Sequence, residues 1–104
     1  MRNVRILDEA VEEAAQAAKW YERERPGLGA DFQHAVDAAL DLLQHQIVSL
    51  TVVPGAAGRK GIKRLILKRF PYDLVVAERN DEYIVIAFAH HSRRPGYWRD
   101  RLRT

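Results

Sequence analysis

Cysteine is absent from this 104-residue chain, methionine occurs once, and no apolar run approaches membrane-spanning length. Without thiols there is no disulfide and no thiolate-held metal, which fits a cytoplasmic setting. A membrane helix needs about 18 consecutive apolar residues, so no membrane association is expected. No apolar stretch of signal-peptide length follows Met1, Arg2, Asn3, Val4 and Arg5. Nothing has the ligand spacing of a zinc site, and no glycine-rich phosphate loop precedes a helix. Neither a metal nor a cofactor is therefore expected. Internal repeats and low-complexity segments are also missing.

What is present suits one domain over residues 1–104, with 47% hydrophobic residues to build a core. The net charge of +3 conceals an asymmetry. Residues 1–58 carry five Lys/Arg against nine Asp/Glu, and residues 59–104 carry twelve against five. A basic C-terminal half suggests an acidic partner or nucleic acid.

Residues 4–7 form a short strand candidate, and Asp8 is placed to cap a helix that runs to about Glu24. Val11, Ala14, Ala15, Ala18 and Tyr21 recur at helical spacing and define its expected buried stripe. The glutamates of this helix read as a solvated face. Pro26, Gly27, Leu28 and Gly29 break the chain. A second helix is expected from about Ala30 to Gln46, with Phe32, Ala35, Val36, Ala39, Leu40 and Leu43 inward. So short a turn predicts an antiparallel helical hairpin. His34 and His45 fall on this helix and read as solvated.

Residues 47–61 lack regular patterning, and residues 54–58 read as a mobile loop. Three strands follow. Residues 62–70 place Leu65 and Leu67 on one face and Arg64, Ile66 and Lys68 on the other. Residues 72–79 form the second strand, Asn80 and Asp81 the turn, and residues 83–89 the third. The third is apolar on both faces, which predicts an interior strand covered on both sides. The order β-α-α-β-β-β implies an α+β domain: an antiparallel meander with a helical hairpin on one face. The other face is expected to be partly open and rimmed with cations, with a short C-terminal tail or helical turn through residues 98–102.

The tail carries the densest chemistry. His90, His91, Ser92, Arg93, Arg94, Pro95, Gly96, Tyr97, Trp98 and Arg99 follow directly on the last strand. Two imidazoles, three guanidiniums and two rings can hold phosphate, stack on bases and move protons.

In this order the segments resemble the RelE/ParE superfamily of type II toxin–antitoxin toxins over nearly the whole length. The resemblance rests on the strand-helix-helix-meander order and an Ala-rich first helix ending in Lys19, Trp20, Tyr21 and Glu22. It rests also on Pro26, Gly27, Leu28 and Gly29 before Phe32, on Lys68, Arg69, Phe70, Pro71 and Tyr72, and on the tail. It implies a bacterial, cytoplasmic growth-arrest protein of the kind linked to plasmid stabilisation, held in a hetero-oligomer with a cognate antitoxin. The antitoxin is expected to offer a disordered or helical acidic segment, with its carboxylates against Arg64, Arg69, Arg93 and Arg94.

The target splits the superfamily. RelE-like members cut mRNA in the ribosome without a metal, whereas ParE-like members inhibit DNA gyrase. Here Ile66 stands where a strand cation is common, and Asp73 stands where an arginine often follows the tyrosine. Asp73 would repel a scissile phosphate. The resemblance therefore implies a ParE-like gyrase-binding toxin first. A RelE-like endoribonuclease is the alternative, with His91, Arg94, Arg64 and Tyr97 as its catalytic candidates. A weakly toxic protein that mainly binds its antitoxin is the third reading. In every case Arg64, Lys68, Arg69, Arg93, Arg94, Tyr97 and Trp98 are the candidate partner- or nucleic-acid-binding residues.

Overall fold

The computed structural model describes residues 2–47 and 49–102. It is an α+β fold whose five-stranded sheet has the order β1-β5-β4-β3-β2. The strands are β1 (Asn3–Ile6), β2 (Thr51–Val52), β3 (Ile62–Ile66), β4 (Tyr72–Glu78) and β5 (Glu82–His90). The helices are α1 (Asp8–Glu24), α2 (Leu28–Gln44) and the one-turn α3 (Ala56–Arg59), and a 3-10 turn spans Arg99–Arg101. No helix among the described residues is long and apolar enough to cross a membrane.

The meander of β3, β4 and β5 is antiparallel, but β1 pairs with β5 in parallel, Asn3 opposite Glu82 through Ile6 opposite Val85. This departs from the all-antiparallel expectation. An interior strand that is apolar on both faces must be paired along both edges, and β1 supplies the second edge.

The hairpin of α1 and α2 forms as its turn chemistry implies, through a side chain the sequence did not single out. The Glu22 carboxylate accepts the Gly27 amide at 3.0 Å and the Gly29 amide at 3.1 Å, so α1 satisfies the open N–H groups of α2. A Cβ on Gly29 would lie 2.6 Å from the Ala18 carbonyl, so the helices could not approach so closely with any larger residue there. The second helix accordingly begins at Leu28, two residues before the expected start, and ends at Gln44.

Three further expectations are corrected. Leu7, not Asp8, occupies the N-cap, and no side chain caps α1; Asp8 is its first helical residue. The buried stripe of α1 is Ala10, Ala14, Ala17 and Tyr21, while Val11 is 51% exposed. Alanine spacing alone fits several neighbouring stripes, and packing against the sheet selects among them. The irregular stretch of residues 47–61 contains β2, and the loop expected to be mobile at residues 54–58 runs into α3. Gly58 lets it fold tightly, since a Cβ there would meet the Val53 carbonyl at 1.9 Å.

Two apolar clusters sandwich the sheet. The larger joins the helical hairpin to one face, around Phe32, Leu43, Leu74, Val76 and Val85. Aromatic rings dominate one end of it, with Phe32 and Phe70 edge to face at 5.2 Å and Tyr21 and Phe70 at 4.9 Å. The smaller cluster packs Val75, Ile84, Ile86 and Ala87 on the opposite face under Trp98, which is only 8% exposed. The second face is therefore largely roofed by the C-terminal tail, and what stays open is a cleft between that tail and the α3 segment.

Candidate functional site

A β-bulge decides where the two histidines go. Val75 pairs with Ala87 and Val76 with Val85, so Ile86 is an extra residue in β5. One extra residue reverses the alternation of every side chain beyond it. Phe88 thus joins the helix-side core while Ala87 joins the other cluster. His90 follows Phe88 to the helix side, where its ring stands edge-on to Tyr72 at 5.0 Å. Its Nδ1 accepts the Ser92 amide at 3.0 Å and faces the Ser92 hydroxyl at 2.8 Å. His91 goes to the opposite side, its backbone amide donating to the Pro71 carbonyl at 2.8 Å.

There His91 Nε2 donates to Oδ1 of Asp73 at 2.9 Å. Asp73 is 9% exposed, and its other oxygen lies 3.7 Å from Nη1 of Arg64. Buried carboxylates persist when a counter-charge or hydrogen bonds satisfy them, and this one has the Arg64 guanidinium and the His91 N–H beside it. The Nε of Arg64 is buried with no hydrogen-bond partner among the described residues. With Nε2 given to Asp73, the Nδ1 of His91 is the ring nitrogen left for an outside group.

This trio sits in a cleft of about 630 Å³ on the tail side of the sheet. Ile66, Val75 and Ala89 contribute an apolar floor, and Arg93, Arg94 and Arg99 come from the tail wall. The sequence candidates Arg64, His91, Arg93, Arg94, Tyr97 and Trp98 all line it. Lys68 and Arg69 do not. Lys68 is exposed beyond the end of β3, and Arg69 lies over the Phe70 ring at 5.5 Å with Asp31 at 3.7 Å.

Neither tail ring presents an open face. Trp98 is buried in the second cluster, and the Tyr97 ring has the Arg93 guanidinium at 3.9 Å and that of Arg101 at 5.1 Å. The Tyr97 hydroxyl donates to Glu13 Oε2 at 2.6 Å. Burial, with the Glu13 hydrogen bond next, pushes the Tyr97 phenol far above its ordinary range. Tyr97 is thus held as a neutral donor at any physiological pH.

Glu13 also accepts both terminal nitrogens of Arg101, at 2.8 and 2.9 Å, and the Phe88 amide at 3.1 Å. Arg101 in turn donates to the Ile86 carbonyl at 3.1 Å. These two side chains satisfy the edge of β5 where β1 has ended, and they fasten the tail to α1. Glu13 is therefore no part of a solvated face, contrary to the sequence reading. The hydrogen bond that Glu13 accepts from Arg101 raises the Arg101 pKa further.

A second, shallower cleft of about 460 Å³ lies on the helix side, between α1 and the end of β5. Lys19, Trp20 and Arg23 form its outer wall, and Tyr72 and Phe88 its floor. His90 and Arg93 line both clefts. Sequence reasoning placed none of the α1 residues in a site. Among the described residues no cluster of three or more His, Asp or Glu could hold a metal ion.

The α+β architecture is shared with a solved structure. A solved chain of the chromosomal ParDE TA system from P. aeruginosa superimposes with a TM-score of 0.73, covering 86% of this chain and 96% of that chain at 13% sequence identity. No family model and no curated protein matches the sequence.

Proposed function

We propose that this chain is the toxin of a type II toxin–antitoxin pair and that it arrests growth by binding, with DNA gyrase as target. The observation that carries the binding mode is the commitment of the tail side chains. Ribonuclease chemistry needs a surplus of cations at the scissile phosphate and rings free to stack on bases. Here Asp73 neutralises part of the cleft beside His91 and Arg64, Tyr97 is tied to Glu13, and Trp98 is buried. The shared fold supports the toxin role, and the ParDE neighbour favours the gyrase branch. Neutralisation by a cognate antitoxin in a hetero-oligomer follows from the same reading.

The test is induced expression of this chain alone, with RNA integrity and the DNA-damage response read from one culture. Arrest with intact mRNA and a damage response, together with inhibited supercoiling by purified protein, is the expected result. Normal growth would leave a toxin-fold protein whose role is to bind its partner.

One observation favours the second reading, a metal-independent endoribonuclease. An imidazole oriented by a buried carboxylate beside an arginine is an arrangement suited to proton abstraction from a 2′-hydroxyl. Under that reading mRNA is cut at ribosome-linked sites, and His91→Ala abolishes the cutting.

A further inference from the structure

Trp20 is 50% exposed and is the only exposed aromatic ring among the described residues. It stands in the helix-side cleft, whose floor is made by Tyr72 and Phe88. Three cations surround it. Lys19 and Arg23 lie four residues apart on one face of α1, and Arg93 reaches in from the tail. None of the three pairs with a carboxylate among the described residues. Glu13, the acidic residue in this cleft, is already committed to Tyr97 and Arg101. An open indole therefore sits among positive charges that nothing within the chain neutralises.

We propose that the helix-side cleft binds a free nucleotide, its base stacked on Trp20 and its phosphates held by Lys19, Arg23 and Arg93. The cleft volume of about 460 Å³ suits a ligand of that size. A base gains from stacking on an aromatic face, whichever base it is. Phosphate oxygens take charge-assisted hydrogen bonds from several cations at once, and arginine meets them with a planar fork. A single strand fits less well. Strand grooves carry successive rings and a track of charge, whereas here one open ring has its cations gathered around it. The ring also lies across the sheet from His91, Asp73 and Arg64, so a base held on it serves no chemistry at that trio. The two clefts are nonetheless coupled through Arg93, which lines both and lies 3.9 Å from the Tyr97 ring. A phosphate that draws Arg93 to the helix side takes one cation from the tail-side cleft.

This site does not rest on the toxin reading, and its test needs no growth assay. The probe is adenosine 5′-diphosphate, titrated into the intact chain with indole fluorescence and amide shifts followed together. We expect saturable quenching, which reports on Trp20 because Trp98 is buried. Shifts should centre on residues 19–23 and 93 and leave residues 64 and 66 in place. Adenosine lacks the phosphates and pyrophosphate lacks the base, so each should bind about tenfold more weakly. Trp20→Leu should weaken binding at least about fivefold, the lower end for stacking on an aromatic side chain. The double change Lys19→Glu with Arg23→Glu should weaken it about tenfold or more. Pyrophosphate binding as tightly as the nucleotide would show a site for charge alone and overturn the proposal. Shifts centred on residues 64, 66 and 94, or no saturation at millimolar nucleotide, would do the same. Displacement of the nucleotide by a lower nucleotide-equivalent concentration of oligothymidylate would make the cleft a strand groove instead. The shift map and the ligand series use unmodified protein, so a variant that fails to fold does not decide the question. Growth without arrest alongside nucleotide binding at Trp20 would sink the toxin reading and leave this site standing.

Discussion

His91 and Asp73 are 2.9 Å apart, Nε2 to Oδ1, although 18 residues separate them along the chain. The bulge at Ile86 makes the contact possible, because without that extra residue the alternation along β5 would send His91 to the helix side. Asp73 is thereby a partner for an imidazole and a guanidinium, rather than an isolated charge facing the cleft.

Removing that carboxylate should cost stability. Asp73→Ala leaves the partly buried Arg64 without its counter-charge and His91 without its acceptor, a loss of about 1–3 kcal/mol. Urea unfolding at neutral pH reads it directly. Nitrogen-15 shifts should also show the Nε2–H tautomer of His91 in the parent chain; a dominant Nδ1–H tautomer would contradict the assigned geometry.

Glu13 is a sharper case. It accepts from Tyr97, twice from Arg101, and from the Phe88 amide, and both it and Arg101 are mostly buried. Glu13→Gln removes the charge and strands the guanidinium, at a cost of about 3 kcal/mol or more. Amide exchange should localise the damage: residues 97–101 lose protection while the β4 amides keep theirs. Uniform loss across the sheet would argue that the tail and sheet open as one unit.

The Tyr97 phenol gives a pH test with a definite sign. Its folded pKa is raised above the unfolded value of 10.0, so its contribution to stability is complete below about pH 10. That contribution is lost as the pH climbs through the folded value. Tyr97→Phe removes the Glu13 hydrogen bond and, with it, this share of the alkaline loss. Tyrosine absorbance titration of the two chains should differ by one phenolate that ionises only as the fold opens. A phenolate forming at Tyr97 near pH 10 in the folded chain would show that the Glu13 contact is not maintained in solution.

Much of the frame was legible because it depends on local period. Phe32, Val36, Ala39 and Leu43 lie buried at helical spacing, and the doubly apolar run ending at Ala89 is an interior strand. The opposite faces of Leu65 and of Arg64 and Ile66 also follow from alternation alone, but β3 ends at Ile66 rather than at residue 70, so Lys68 does not join Arg64 and Ile66 in the cleft. The failures share a different cause. Alanines at four neighbouring positions of α1 carry too little contrast to fix its stripe, and the parallel pairing of β1 needs partners 79 residues away. The pairs that shape the site, Asp73 with His91 and Glu13 with Arg101, are likewise distant in sequence. No periodicity announces them, and an acidic residue in isolation reads as solvated or repulsive. The bulge is invisible for the same reason, since a single unpaired isoleucine has no turn residue to mark it.

The binding and cleaving readings part most cleanly at His91. Its ring contributes a hydrogen bond to Asp73 and little to the core, being 45% exposed in its side chain. If the chain acts by docking, His91→Ala still arrests growth, since the cations at Arg93 and Arg94 and the apolar floor remain. If it cuts RNA, losing the base should lower the rate by roughly 10²–10⁴-fold and relieve the arrest. His90→Ala is the matched control, because His90 faces Tyr72 and the Ser92 hydroxyl rather than Asp73. We expect both single variants to arrest growth with intact mRNA. Relief by His91→Ala alone, with wild-type levels of folded protein, would move the assignment to the ribonuclease branch.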